Sequence, residues 1–174
     1  MRKFFAFALL VGTFSLAAIA QEAQNAPKAE VFGGFQYTRF DGGLNASGWD
    51  TALTGNVNNW FGITADFSGT YGSQSGVSLH NYTYTFGPVV SLRQNRMFTP
   101  WAHFLAGGNH ATVGFSGLSG SDSGFAMMFG GGLDITAGQH LAVRGIQFDW
   151  LSLHSDGISD NKNMRIVTGL LLRY

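Results

Sequence analysis

Few residues in this chain have both the chemistry and the company to form a site. His154, Ser155 and Asp156 stand in one run, and an imidazole, a hydroxyl and a carboxylate are the types that make a nucleophile–base pair. Adjacent strand residues point to opposite faces, so His154 and Ser155 need a loop bend to meet. His80, His110 and His154 fall at strand–loop junctions on one side of the pattern described below, and imidazole is a common metal ligand. Nothing fixes their spacing across loops, and no metal or other cofactor is expected. The remaining candidates are charges on polar strand faces: Glu30, Asp66 and Asp134 against Arg144, Arg165 and Arg173. Buried charges must be paired, and three acids matched by three arginines suit an internal salt-bridge network or an ion path. The chain has no cysteine, which removes disulfides, thiol catalysis and cysteine-bound metal.

The element that best shows how such charges are positioned is Trp60 to Tyr71, WFGITADFSGTY. Phe61, Ile63, Ala65, Phe67 and Tyr71 occupy one parity; Gly62, Thr64, Asp66, Ser68 and Thr70 occupy the other. Strand side chains alternate between faces, so this is an apolar wall backed by a small polar one. Glu30–Phe40, Trp49–Val57, Asn81–Leu92, Phe98–Asn109, Phe125–Ile135, His140–Leu151 and Asn163–Tyr174 repeat the pattern with varying clarity. Pro88 lacks a ladder donor and belongs near a strand end or bulge. In His140–Leu151 the polar parity slips, with Arg144 on one face and Gln147 and Asp149 on the other. A bulge near Gly145 reconciles them.

Eight strands result, joined alternately by short turns (near 58, 95 and 137) and by longer loops (41–47, 72–80, 110–123 and 152–162) rich in Gly, Ser, Asn and Asp. Strands of about 9–12 residues suffice to cross a bilayer when tilted. An unpaired backbone group in hydrocarbon costs several kcal/mol, so a spanning sheet must close on itself. With eight strands the interior is just filled by side chains, and a packed polar core is expected. The fold expected is all-β, an eight-stranded antiparallel up-and-down transmembrane barrel.

Composition agrees. Only 11% of residues are charged, against about 25% in soluble domains, too few for the exterior of a soluble, lipocalin-like barrel. Ten basic and ten acidic residues balance, so no nucleic-acid face is expected. Arg2 and Lys3, the apolar run Phe4–Leu16 and Ala18-Ile19-Ala20 read as a signal peptide over residues 1–20. Residues 21–28 are then a loose periplasmic lead and 29–174 the barrel. Tyr37, Trp49, Trp60, Tyr71, Tyr82, Trp101, Phe125, Trp150 and Tyr174 lie near strand ends, where interfacial girdles form.

EVFGGFQYTRFDGG, GWDTALTGNVNNWFGITADFSGTYG and YTFGPVVSLR resemble the outer-membrane β-barrel domain family that includes OmpA-like and OmpX-like small barrels. The resemblance spans nearly all of the mature chain. It implies residence in the cell outer membrane, contact with outer-membrane lipid, and delivery by periplasmic chaperones to the barrel-assembly machinery. Gly169, Leu172 and Tyr174 are similar to the carboxy-terminal signal that this machinery reads. The sequence stops at Tyr174, so the peptidoglycan-binding domain of full-length OmpA-type proteins, and with it wall anchoring, is not carried over.

The function expected is non-enzymatic: a structural or surface-interacting barrel with a side-chain-filled lumen and displayed loops that could take a surface ligand. A narrow ion-conducting pore and a lipid A-modifying barrel enzyme are the alternatives.

Overall fold

The computed structural model describes residues 26–174 except 42, 75, 116, 117, 156 and 157. The expected signal segment, residues 1–20, lies outside them. Eight strands follow in order: β1 (Ala29–Arg39), β2 (Asn45–Asn56), β3 (Phe61–Gln74), β4 (Val77–Ser91), β5 (Phe98–Phe115), β6 (Leu118–Thr136), β7 (Leu141–Ser155) and β8 (Ile158–Arg173). Each pairs antiparallel with its chain neighbours, and β1 pairs with β8, so the sheet is a closed barrel. The seam runs from Glu30↔Arg173 to Arg39↔Met164. Gly34 faces Gly169 across it. A Cβ on Gly34 would lie 2.3 Å from the Thr168 carbonyl oxygen and 2.6 Å from the Phe32 ring. Glycine there lets that ring lie flat inside the seam.

The alternation in sequence becomes an inside-out protein. Ile63, Phe67, Phe86 and Leu170 stand exposed on the outer surface, while Asp66, Ser68, Thr70, Thr83 and Thr85 are buried in the lumen. An apolar belt of this extent belongs in lipid, which keeps it out of water without any covering protein.

Two local irregularities serve this facing. β6 and β7 pair as Leu133↔Ile146 and then Asp134↔Arg144, which skips Gly145. The extra residue is the bulge the sequence calls for, and Arg144, Gln147 and Asp149 all turn inward. A second shift lies between Leu151 and Leu153 on the β8 side. Pro88 causes no shift: the β4–β5 ladder passes from Phe86↔Ala106 to Val89↔His103 in one register.

The expected loops are shorter than composition suggests. β2 already begins at Asn45, β3 and β4 leave only residues 75 and 76 between them, and β5 and β6 pair up to Phe115↔Leu118. The segments 72–80, 110–123 and 152–162 are therefore largely paired ribbon. Gly, Ser and Asn mark loops when a strand must bury a face, but a ribbon standing clear of lipid needs only its backbone ladder. Gly76, at φ +81°, takes the left-handed position of one such turn. At the other end the turns are true turns. Asn58 Oδ1 accepts from the backbone N–H groups of Trp60 and Phe61, and Asn95 Oδ1 from those of Met97 and Phe98, the usual side-chain closure of an Asx turn.

The lumen is not wholly polar. Phe32, Ala52, Ala142, Val167 and Leu171 form one buried apolar cluster, and Leu105, Ala126, Met128 and Leu151 another. Small polar side chains alone leave space around eight strands, and these larger groups fill it.

Candidate functional site

The lumen holds an ionic column in three tiers, counted from the end where the termini lie. In the first, Glu30 accepts from Arg173 Nε at 3.0 Å and from both terminal nitrogens of Arg93 at 3.3 and 3.1 Å. Arg173 also donates to Thr136 Oγ1 at 3.0 Å. In the second, Asp134 takes a two-pronged contact from Arg144 at 2.9 and 3.3 Å and lies 3.9 Å from Arg173. The Arg144 guanidinium sits 4.2 Å from the Trp101 ring centroid and 4.4 Å from that of Phe32. Arginine stacked between rings keeps its in-plane donors free, and here one of them reaches Gln147 Oε1 at 2.9 Å.

The third tier centres on Arg165, which is 1% exposed. It makes a fork-to-fork contact with Asp66 at 3.1 and 3.1 Å, donates through Nε to Asp149 at 2.7 Å, and lies 3.7 Å from Asp50. His103 Nε2 is 2.8 Å from Asp149 Oδ1, and Gln147 donates to Asp149 Oδ2 at 2.7 Å. Gln147 thus links the second tier to the third. Gly130 makes room for this cluster, since a Cβ there would fall 2.0 Å from Asp149 Oδ1.

All six charges singled out from sequence, Glu30, Asp66, Asp134, Arg144, Arg165 and Arg173, are buried in this one column. Sequence reasoning missed Asp50, Asp149, Arg93 and His103 as members. Asp50 shares its parity with Ala52 and opposes the exposed Trp49 and Leu53, a signal present in a weak strand pattern. Asp149 needed the bulge. Arg93 reads as part of a polar turn and yet folds back to Glu30. Five carboxylates meet four guanidiniums and His103, so the arrangement can lock neighbouring strands together. An adjoining cavity of about 20 Å³ is lined by Glu30, Asp66, Asp134, Arg144, His103 and Trp101 among others, which is room for a single water.

Other candidates stay apart. His80 packs edge-on against Tyr71, at 5.3 Å between ring centroids, and His110 Nδ1 lies 2.8 Å from Ser123 Oγ. His154 is exposed on β7. Among the described residues no group of three His, Cys, Asp or Glu is placed to hold a metal. The side chain of Ser155, and Asp156 altogether, lie outside the described residues. Trp101 does not join the girdle: it lies in the lumen beside Arg144, on the inward parity that the sequence gives it with Thr99 and His103. Trp49, Tyr71 and Tyr82 do form an exposed rim cluster, with Trp49 Nε1 donating to the Tyr71 hydroxyl at 3.3 Å and the two tyrosine hydroxyls 3.1 Å apart. Of the terminal signal residues, Gly169 sits at the seam, Leu172 faces outward, and Tyr174 stacks on His140 at 6.3 Å.

The comparisons with known proteins agree with this geometry. Neisserial surface protein A has a similar structure, with a TM-score of 0.69 at 8% identity, covering 84% of this chain and 96% of that one. Ail, the attachment invasion locus protein of Yersinia pestis, gives a TM-score of 0.61 at 21% identity, covering 86% and 99%. The N-terminal β-barrel domain of Pseudomonas aeruginosa OprF gives 0.58 at 10%, covering 87% and 100%. Among curated proteins none matches in sequence. The model of the outer membrane protein beta-barrel domain matches residues 6–169. Agreement over nearly the whole length, on a wall that is apolar without and ionic within, makes this chain a member of that family and a protein of the cell outer membrane.

Proposed function

We propose that the chain is a non-enzymatic structural barrel that displays its hairpins for surface interaction. The reading rests on one observation: the column from Glu30 to Asp50, together with the two apolar clusters, fills the lumen from tier to tier. A rigid, filled barrel holds the β3–β4, β5–β6 and β7–β8 ribbons at fixed positions above the membrane. These ribbons carry exposed polar groups such as Ser119, Ser121 and Asp122, suited to a polar partner. Lipid surrounds the belt. Gly169, Leu172 and Tyr174 serve the barrel-assembly machinery as the insertion signal, after periplasmic chaperones have carried the unfolded chain.

Reconstitution in planar bilayers tests the filled lumen. The expected result is little or no conductance; large, steady currents would overturn the reading in favour of a narrow pore through the small cavity beside His103.

A further inference from the structure

The outer wall has a groove where the belt should be smooth. Gly131 faces lipid between Phe129 on its own strand and Phe148 on β7, and Trp150 and Met164 continue the walls toward the hairpin end. With no side chain at Gly131 the floor is bare backbone. The groove measures about 540 Å³, within the usual range for a site that takes a small molecule. Its apolar walls suit an acyl chain, and the charges around it decide which kind of lipid would supply that chain.

Those charges are unevenly placed. Of the described lysines and arginines, Arg93, Arg144, Arg165 and Arg173 are buried in the lumen. Lys28 and Arg96 are exposed at the end where the termini lie. The exposed pair at the hairpin end is Arg39 and Lys162. Arg39 is the ladder partner of Met164, and Lys162 lines the groove directly. The Trp150 indole N–H donates to the Asn161 carbonyl, next to Lys162. Two cations on adjacent strands thus stand together on the β8–β1 side of the hairpin end of one apolar groove. Long basic side chains at that depth extend their charge to the headgroup layer while their stems stay in the apolar zone.

We propose that this groove on β6, β7 and β8 is a lipid site, which seats an acyl chain against Gly131 and holds the phosphate of the same lipid between Arg39 and Lys162. The occupant is a phosphate-bearing acyl lipid of the hairpin-side leaflet.

The test uses the purified, folded barrel in detergent, with retained lipid measured by native mass spectrometry. Phosphatidic acid and a phosphatidylcholine of identical chains are titrated separately, with inorganic phosphate as competitor. The barrel is expected to retain phosphatidic acid about thirtyfold better, the scale expected of two basic side chains at a lipid surface. Arg39→Gln with Lys162→Gln removes that preference while heat-modifiable gel mobility, the sign of a folded barrel, is unchanged. Phe148→Ala, which opens one wall, weakens retention of both lipids. Three results would each overturn the proposal: no preference in the parent protein, an undiminished preference in the double variant, or displacement of the lipid by equimolar inorganic phosphate, which would mark a bare anion site.

Discussion

Arg165 and Arg173 lie on the same strand, face the same lumen and bind carboxylates, but they do so in different settings. Arg173 shares Glu30 with Arg93, so that tier has two cations for one acid and borders the open end of the barrel. Arg165 stands alone among Asp50, Asp66 and Asp149 at the centre. The first tier has a spare guanidinium; the third has none. Burial raises the cost of a lost partner, because an uncompensated ion in a low dielectric loses both water and its counter-charge. The two arginines therefore differ in what depends on them more than in the bonds they make.

Substitution can break or sharpen that contrast. Arg165→Leu leaves buried Asp50 and Asp66 without their guanidinium and Asp149 with only His103 and Gln147, and removal of one partner from a buried pair costs about 3–5 kcal/mol. We expect most of the protein to fail assembly, read as loss of heat-modifiable mobility, and any folded fraction to unfold at much lower urea. The same charge on the opposite face makes the second comparison. Ile63→Arg puts an arginine in the apolar belt and should cost about 2–4 kcal/mol; normal insertion in that variant would reverse the facing of the whole wall. Arg173→Leu should cost least, about 1–3 kcal/mol, since Arg93 still holds Glu30. Urea unfolding of Arg165→Leu and Arg173→Leu with equal midpoints would erase the distinction between the tiers.

The same contrast explains what could be read from sequence. The belt is legible because Phe61, Ile63, Ala65 and Phe67 repeat every second residue in one run, and lipid admits few charged or strongly polar exceptions. The lumen tolerates many. Trp101, Leu105 and Met128 are as much at home there as Asp66, so parity reveals which side chains face in but not which meet. Arg93 shows the limit most clearly: its position in a turn gives no hint of a partner 63 residues earlier. The hairpins are hard to read for the opposite reason. Above the membrane neither face of a ribbon must be apolar, and residues 110–123 carry no alternation from which pairing could be inferred.

The seam gives the barrel a late-finishing assembly. Glu30 and Arg173, joined across it, are 143 positions apart, and every earlier hairpin leaves both margins of the growing sheet open. Closure waits for the final strand, and contacts between distant parts of a chain form slowly because so much slack must first be gathered in. Until then the polypeptide travels with its future lipid-facing surface unhoused, so its safe passage is a matter of timing as much as of ultimate stability.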